Sequence, residues 1–344
     1  MKKSTISNIV KYSLFILLVV VTFYVVFQKN DFGSFLTNLR EANLVFIALG
    51  MVCMLIFLGS EASNIKLILK NLGHKLTYIQ AFRYSLVGFF FSSITPSSTG
   101  GQPAQIYFMN KDGIPIAHST MALLVELMGY QFATGLLAFI GFFLNFKTIV
   151  FDLGNIKFLI FLGLTVNLII LSVLIVTIFS KNLALKILGL LTKILSFFHY
   201  SKVDKFEESF TSQIDEYHRC SIYLKENKHV LIKALITNVV QLIAYHAIPY
   251  CVYLSFGLSG ASAITIILME AVLYVAVASL PFPGSVGVSE GTFMVMFKLF
   301  FPATLLGSAM IISRGISFYF FVLLSALGVI WSFIKSKRSK KRES

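Results

Sequence analysis

The chain has 344 residues, 57% of them hydrophobic and 13% charged, and a mean hydropathy of +0.83. Soluble domains carry about 25% charged residues, so this composition excludes a soluble globular fold. A formal net charge of +14 could suggest a nucleic-acid partner. The basic residues, however, sit in short flanks and in the tail Lys335, Lys337, Arg338, Lys340, Lys341 and Arg342, with no aromatic stacking platform among them. Clusters of this kind face an anionic lipid surface and set topology.

In chain order, residues Met1 to Phe27 begin basic and turn apolar, as a signal peptide does. The bulky Tyr24, Val25, Val26 and Phe27 leave no small-residue cleavage site, so the segment reads as a retained first span, Tyr12–Phe27. Further plain spans are expected at Asn43–Ser60, Ser119–Asn145, Ile156–Ser180, Val230–Phe256 and Ala303–Ile334. They are comparable with the roughly 20 residues that cross about 30 Å of hydrocarbon.

Two other apolar stretches are broken. Tyr84–Asn110, the body of an expected hairpin over 78–110, contains Thr95-Pro96-Ser97-Ser98-Thr99-Gly100-Gly101-Gln102-Pro103. Ala271–Ser289, within 262–299, is interrupted by Pro281-Phe282-Pro283-Gly284-Ser285. Proline removes a helix donor and glycine weakens a helix, so neither is a plain straight span. If each crosses once, the chain has eight simple spans and the Lys-rich segment after Ser180 lies outside, against the positive-inside tendency. If each enters and returns on one side, there are six full spans and two oppositely oriented re-entrant hairpins, with both termini cytoplasmic. The expected fold is an all-α polytopic membrane protein of this second kind, with eight simple spans as the alternative.

The first half, 1–180, includes the span 156–180 that opens the second; the rest of the second half is 229–334. The two then match as span, span, hairpin, span in opposite orientations, the inverted-repeat plan of many transporters. No direct sequence repeat is visible. Between the halves, 181–228 reads as a cytoplasmic amphipathic segment, with a polar stripe at Lys186, Gly189, Lys193 and Ser196. Residues 335–344 form a basic cytoplasmic tail.

Ionisable groups inside spans are costly and mark function by default. Glu126 could neutralise a cationic head group, or form a structural salt bridge. Glu290 follows the second break in Pro283-Gly284-Ser285-Val286-Gly287-Val288-Ser289-Glu290; it could bind a positive group or simply cap the helix that starts there. Arg314 suits a lipid phosphate, because a guanidinium stays charged and binds phosphate with two parallel bonds; the alternative is an ion pair with Glu126 or Glu290. The first break offers Thr95, Pro96, Ser98, Thr99, Gly100, Gly101 and Gln102 as donors and close-approach positions, or merely a turn that satisfies its own backbone. No HExxH, Ser/His/Asp grouping or nucleotide motif is present. Cys53, Cys220 and Cys251 have no metal or disulfide spacing. No cofactor, metal or nucleic acid is expected, and no catalysis by the chain alone.

The run Ser92-Ser93-Ile94-Thr95-Pro96-Ser97-Ser98-Thr99-Gly100-Gly101-Gln102-Pro103-Ala104-Gln105-Ile106-Tyr107 resembles the first signature of the lysylphosphatidylglycerol synthase transmembrane family. The run Pro283 to Glu290 resembles its second. The resemblance extends over nearly the whole chain and implies a lipid flippase of the bacterial cytoplasmic membrane. In the two-part resistance factors of that family, a soluble aminoacyltransferase makes lysyl-phosphatidylglycerol and the membrane half exposes it outside, which repels cationic peptides. Only a short basic tail follows the last span here, so the synthase activity is not expected. The substrate implied is a phospholipid such as lysyl-phosphatidylglycerol, or another amino- or glycolipid. By position the site gathers the first break with Pro283, Gly284, Gly287, Glu126, Glu290 and Arg314. A non-transporting subunit that positions a separate lipid synthase or glycosyltransferase is the alternative, and a homodimer is compatible with either.

Overall fold

The computed structural model describes residues 32–179 and 219–343, apart from 224, 279 and 281. The expected first span, Tyr12–Phe27, and most of the segment 181–228 lie outside the described residues. Within them the regular elements are helical: α1 Phe32–Glu41, α2 Leu44–Asn71, α3 Tyr78–Ser93, α4 Gly101–Lys111, α5 Ile116–Leu144 and α6 Ile156–Phe179. The second part comprises α7 Lys228–His246, α8 Ile248–Ser255, α9 Ala263–Ala278, α10 Val288–Met296, α11 Ala303–Arg314 and α12 Phe320–Glu343.

Five stretches are long and apolar enough to cross a membrane: Leu44–Asn71, Ile116–Leu144, Ile156–Val176, Lys228–Ser255 and Ala303–Ser332. They agree with five of the expected spans, and they turn large apolar side chains outward. Leu49, Val52, Leu55 and Ile56 on α2 and Ile232, Ile236, Val240 and Ile243 on α7 are exposed. Such surfaces suit lipid and not water. The protein is therefore a multi-pass helical membrane protein.

Local chemistry sets the helix ends. The Asn43 side chain accepts the Val45 N–H at 2.9 Å and starts α2; Thr77 and Gln80 form a capping box on α3. Pro115 and Pro302 stand immediately before α5 and α11. The helix α2 runs eleven residues past the expected end at Ser60. Its buried face continues at helical spacing through Ala62, Ile65, Ile68 and Leu69, although Glu61, Lys66 and Lys70 lower the hydropathy.

Both broken stretches fold as short helix, tight turn, short helix. The first is α3, a turn at Pro96–Ser98, and α4; the second is α9, a turn at Pro283–Ser285, and α10. At 1.5 Å per residue the four helices span about 24, 17, 24 and 14 Å, each less than the hydrocarbon thickness. In each pair the two helices pack on one another, and the two turns touch.

The turns share a backbone conformation over Thr95–Ser98 and Phe282–Ser285, and part at Thr99 (ψ −14°) and Val286 (ψ 139°). Thr95 and Phe282 are extended (φ −115°, ψ 146°; φ −103°, ψ 133°), and Ser97 and Gly284 are left-handed (φ 49°, ψ 29°; φ 59°, ψ 14°). Ser98 and Ser285 follow with φ 55° and 52°. The hydrogen bonds repeat too: Ser98 N–H to Thr95 O and Thr99 N–H to Pro96 O at 3.2 Å each, matched by Ser285 N–H to Phe282 O at 3.0 Å and Val286 N–H to Pro283 O at 3.2 Å. Matching positions lie 187 residues apart (from 96 to 283). The same spacing relates Ser98 to Ser285, Gly100 to Gly287, Pro115 to Pro302 and Gly141 to Gly328. A weak repeat of identical residues is thus present where none was expected.

The helices α2 and α7–α8 pack antiparallel. A Cβ at Gly50 would stand 3.7 Å from Cys251 Cβ, while further along Asn64 Nδ2 donates to Asn238 Oδ1 at 2.6 Å. Asn238 Nδ2 also donates to the Glu126 carbonyl at 3.1 Å, tying α2, α7 and α5 together in a fully buried amide staple. Cys53 and Cys251 stand within hydrogen-bonding reach across this seam. Mild oxidation with copper phenanthroline will join them, giving a crosslinked peptide pair in the mass spectrum. Cys53 and Cys251 both still alkylatable after oxidation would contradict the register.

Candidate functional site

The two turns bring the expected tip residues together, but they use their polar atoms differently. In the first, the hydroxyls serve the backbone: Ser93 Oγ donates to Phe89 O at 2.7 Å, Thr95 Oγ1 to Phe91 O at 2.7 Å and Thr99 Oγ1 to Pro96 O at 3.0 Å. Thr95 Oγ1 also accepts the Gly100 N–H at 2.9 Å, and Ser92 Oγ donates to Ser98 O at 3.3 Å. Gly100 and Gly101 are required for close approach. A Cβ at Gly101 would lie 2.2 Å from Ser92 Oγ, and one at Gly100 would lie 2.6 Å from Thr95 Cγ2. Gln102 is partly exposed. In this conformation the Ser92, Ser93, Thr95 and Thr99 hydroxyls of the first tip are engaged by the backbone, while Ser97 and Ser98 are exposed.

The second tip carries the charge. Gly287, with φ 85°, caps α10, and its N–H donates to Glu290 Oε2 at 2.6 Å. Glu290 Oε1 accepts from Arg314 Nε at 2.8 Å and from the Tyr319 hydroxyl at 3.2 Å. Arg314 Nη2 donates to the Gly284 carbonyl at 3.0 Å, and the guanidinium lies 4.6 Å above the Phe318 ring. A Cβ at Gly284 would meet Phe318 Cζ at 2.3 Å, so glycine is needed there for contact as well as for its positive φ. Arg314 ends α11, and the π turn Gly315–Tyr319 that follows re-aims the chain and supplies Phe318 and Tyr319. Glu290 thus both caps and pairs, and Arg314 pairs with Glu290, not with Glu126.

Glu126 lies on α5, 7% exposed, within electrostatic reach of Glu61. Glu61 Oε1 accepts from Gln105 Nε2 at 2.7 Å, and Gln105 Nε2 also donates to the Tyr84 carbonyl at 3.1 Å. Gln105 packs where a Cβ at Gly88 would stand 2.4 Å from its Nε2. Glu61 escaped the sequence reading because the expected span ended one residue short of it. The continuing buried face of α2 is the signal that would have found it. Further on, the Tyr130 and Tyr274 hydroxyls bond at 2.6 Å, joining α5 to α9.

At the open end of the first helix pair, Arg83 is 2% exposed and forms an ion pair with Asp112. The Tyr84 hydroxyl donates to the same carboxylate at 2.6 Å. Arg83 thereby ties the start of α3 to the end of α4. His74 Nε2 and His118 Nδ1 stand 2.7 Å apart nearby; partial burial and the neighbouring His118 hold the His74 ring below its ordinary pKa. Among the described residues no group of three or more His, Cys, Asp or Glu side chains could hold a metal.

Long apolar helices, two touching broken tips and a buried ion pair define a polytopic helical membrane protein. The chain belongs to the family described as the lysylphosphatidylglycerol synthase TM region, whose model matches residues 8–325. It is also similar to a UPF0104 membrane protein of Archaeoglobus fulgidus, 23% identical over 325 residues that cover 92% of this chain and 96% of the relative. The family is that of a membrane region, and the first-signature and second-signature resemblances are those of its members.

Proposed function

We propose that the protein moves a phospholipid-type amphiphile between the leaflets of a bacterial cytoplasmic membrane. Lysyl-phosphatidylglycerol is one member of the class, and other amino- or glycolipids share the needed chemistry. The observation that carries this reading is the meeting of two like-folded broken tips, one of which holds a buried arginine on its own carbonyl. Broken helices facing one another at depth are where transporters bind substrate, and irregular backbone is tolerated there only inside protein or along a watery cavity.

In this reading α3–α4 and α9–α10 are re-entrant hairpins, supported by helices too short to cross. The constant spacing and the antiparallel packing of α2 against α7–α8 support inverted halves. Arg314 exchanges Glu290 for the lipid phosphate, while the acyl chains stay in the surrounding lipid. The tips, Gly284, Gly287, Glu290 and Arg314 form the head-group site. Both termini lie in the cytoplasm, and the basic tail rests on the anionic surface.

The test is movement of fluorescent phosphatidylglycerol, lysyl-phosphatidylglycerol and a glycolipid by the purified protein in liposomes. Transport of one of them that is lost in Arg314→Ala is the expected result. Folded protein that moves none of the three would favour the other reading, a subunit that positions a separate lipid synthase.

A further inference from the structure

The ion pair on the second tip uses Arg314 and Glu290, but three more carboxylates stand on the bundle helices, Glu126 buried and Glu61 and Glu270 half-buried. Glu61 accepts a single hydrogen bond, from Gln105. Glu126 is 7% exposed, no described side chain donates to its carboxylate, and the charged group that acts on it is another acid, Glu61. Glu270 has a buried oxygen, Oε2, with no partner. No basic side chain acts on Glu61 or Glu126 among the described residues. Among the described residues the basic group that acts on Glu270 is Arg314, which is already engaged. Buried carboxylates without counter-ions must be neutralised by a bound cation or a proton.

A second observation points the same way. His246 is fully buried, and neither ring nitrogen has a partner. Its ring lies 5.6 Å from that of Tyr274, the residue whose hydroxyl bonds Tyr130. Tyr130 sits one turn beyond Glu126 on α5 and is within its electrostatic reach. Tyr274 sits one turn beyond Glu270 on α9. Tyr245 on α7 packs against Tyr274 and couples to Glu270, Ser317 and Arg314. Titratable groups therefore extend from Glu61 on α2 toward the Arg314–Glu290 pair, with the Tyr130–Tyr274 hydrogen bond as a direct link among them. Among the described residues no group of three or more His, Cys, Asp or Glu side chains gathers for a metal, and we take the neutralising cation to be a proton.

We propose that lipid movement is proton-coupled, with the Glu61–Glu126 pair as the proton-binding site and Tyr130, Tyr274 and His246 as the link to the second tip. The proposal rests on the lipid-transport reading. Phosphate and Glu290 compete for one guanidinium. When phosphate takes Arg314, Glu290 keeps the Gly287 N–H but loses its counter-ion and takes up a proton. That proton leaves the O–H of Glu126. A proton passes along the Tyr130–Tyr274 hydrogen bond, a new O–H forms on Glu290, and Glu126 regains a proton from solution, so that one is taken up per lipid bound. One proton is transferred, and no electrons move.

The experiment uses the full chain in liposomes with fluorescent phosphatidylglycerol and a pH-sensitive dye in the lumen, under no gradient, a pH gradient or a sodium gradient. In parallel, calorimetric titration of the detergent-solubilised protein with phosphatidylglycerol, in buffers of different ionisation enthalpy, counts protons taken up per lipid bound. The expected results are lipid redistribution under the pH gradient and proton uptake on binding. Glu61→Gln and Tyr130→Phe are expected to cut the gradient response about fivefold or more, the lower end of ordinary coupling. Lipid movement that ignores the pH gradient, with no proton uptake on binding, overturns the coupling and leaves the transport reading standing. A response to sodium alone overturns the proton as the coupled ion. No binding or movement of lipid under any condition overturns the transport reading, and this proposal with it.

Discussion

Arg314→Glu will abolish lipid movement and lower the yield of folded protein. The substitution puts a second carboxylate beside Glu290, with the Gly284 carbonyl and the Phe318 ring face next to it, where a cation now sits. Removing one partner of a buried pair costs about 3–5 kcal/mol, because the other charge is left uncompensated, and reversal adds repulsion. Loss of transport alone would then be ambiguous. The neutral double variant Arg314→Met with Glu290→Gln separates the two effects. Glutamine can still cap Gly287, and no lone charge remains, so thermal stability should return to near the wild-type value. Transport should not return. A double variant that regains both would remove Arg314 from the head-group site.

Gly163→Leu will leave no monodisperse protein, and Gly163→Ala will be measurably less stable than wild type. A Cβ at Gly163 would stand 2.2 Å from the Val275 carbonyl oxygen and 2.8 Å from Ala276 Cα. The obstacle is backbone, so no side chain can swing aside, and overpacking costs about 1–3 kcal/mol even in softer surroundings. Small residues let membrane helices approach this closely. Here the approach fixes α9, which carries Glu270 and Tyr274 and leads into the second tip. Thermal unfolding followed by size-exclusion fluorescence checks the result, with Gly291→Ala as the comparison. Nothing lies within 4 Å of a Cβ at Gly291, so that variant should unfold near the wild-type temperature. Equal loss in Gly291→Ala and Gly163→Ala would argue against the close packing of α6 on α9.

Much of this was legible in the sequence because lipid imposes long-range rules on composition. Spans longer than the hydrocarbon thickness and breaks at Pro and Gly need no partner to be recognised. Arg314 and Glu290 stood out as charges in apolar stretches, and they do meet. Their pairing was left open because 24 residues and a helix-helix packing separate them. Glu61 was missed for a physical reason: the charged side of α2 lowers the average hydropathy while its buried side continues inward. The repeat was invisible because packing preserves backbone conformation and not side-chain identity. Ser97 and Gly284 fill the same left-handed position, and scattered identities are all that recur at the constant spacing. Hydroxyls in the first tip looked like ligand donors, since a sequence does not tell whether a hydroxyl will be claimed by a carbonyl four residues back.

The repeat is closest at the turns and uneven in charge. At the spacing that relates the two tips, the counterparts of Arg314 and Glu290 are Leu127 and Pro103, which can form no ion pair. If the two halves trade conformations, the reversed molecule is not the original turned over, because the latch closes on one tip alone. Two arrangements that symmetry would make equal in free energy are thereby split, and the protein acquires a resting side. A carrier with a resting side waits facing one leaflet, and its turnover is set by how readily an arriving head group opens that single latch.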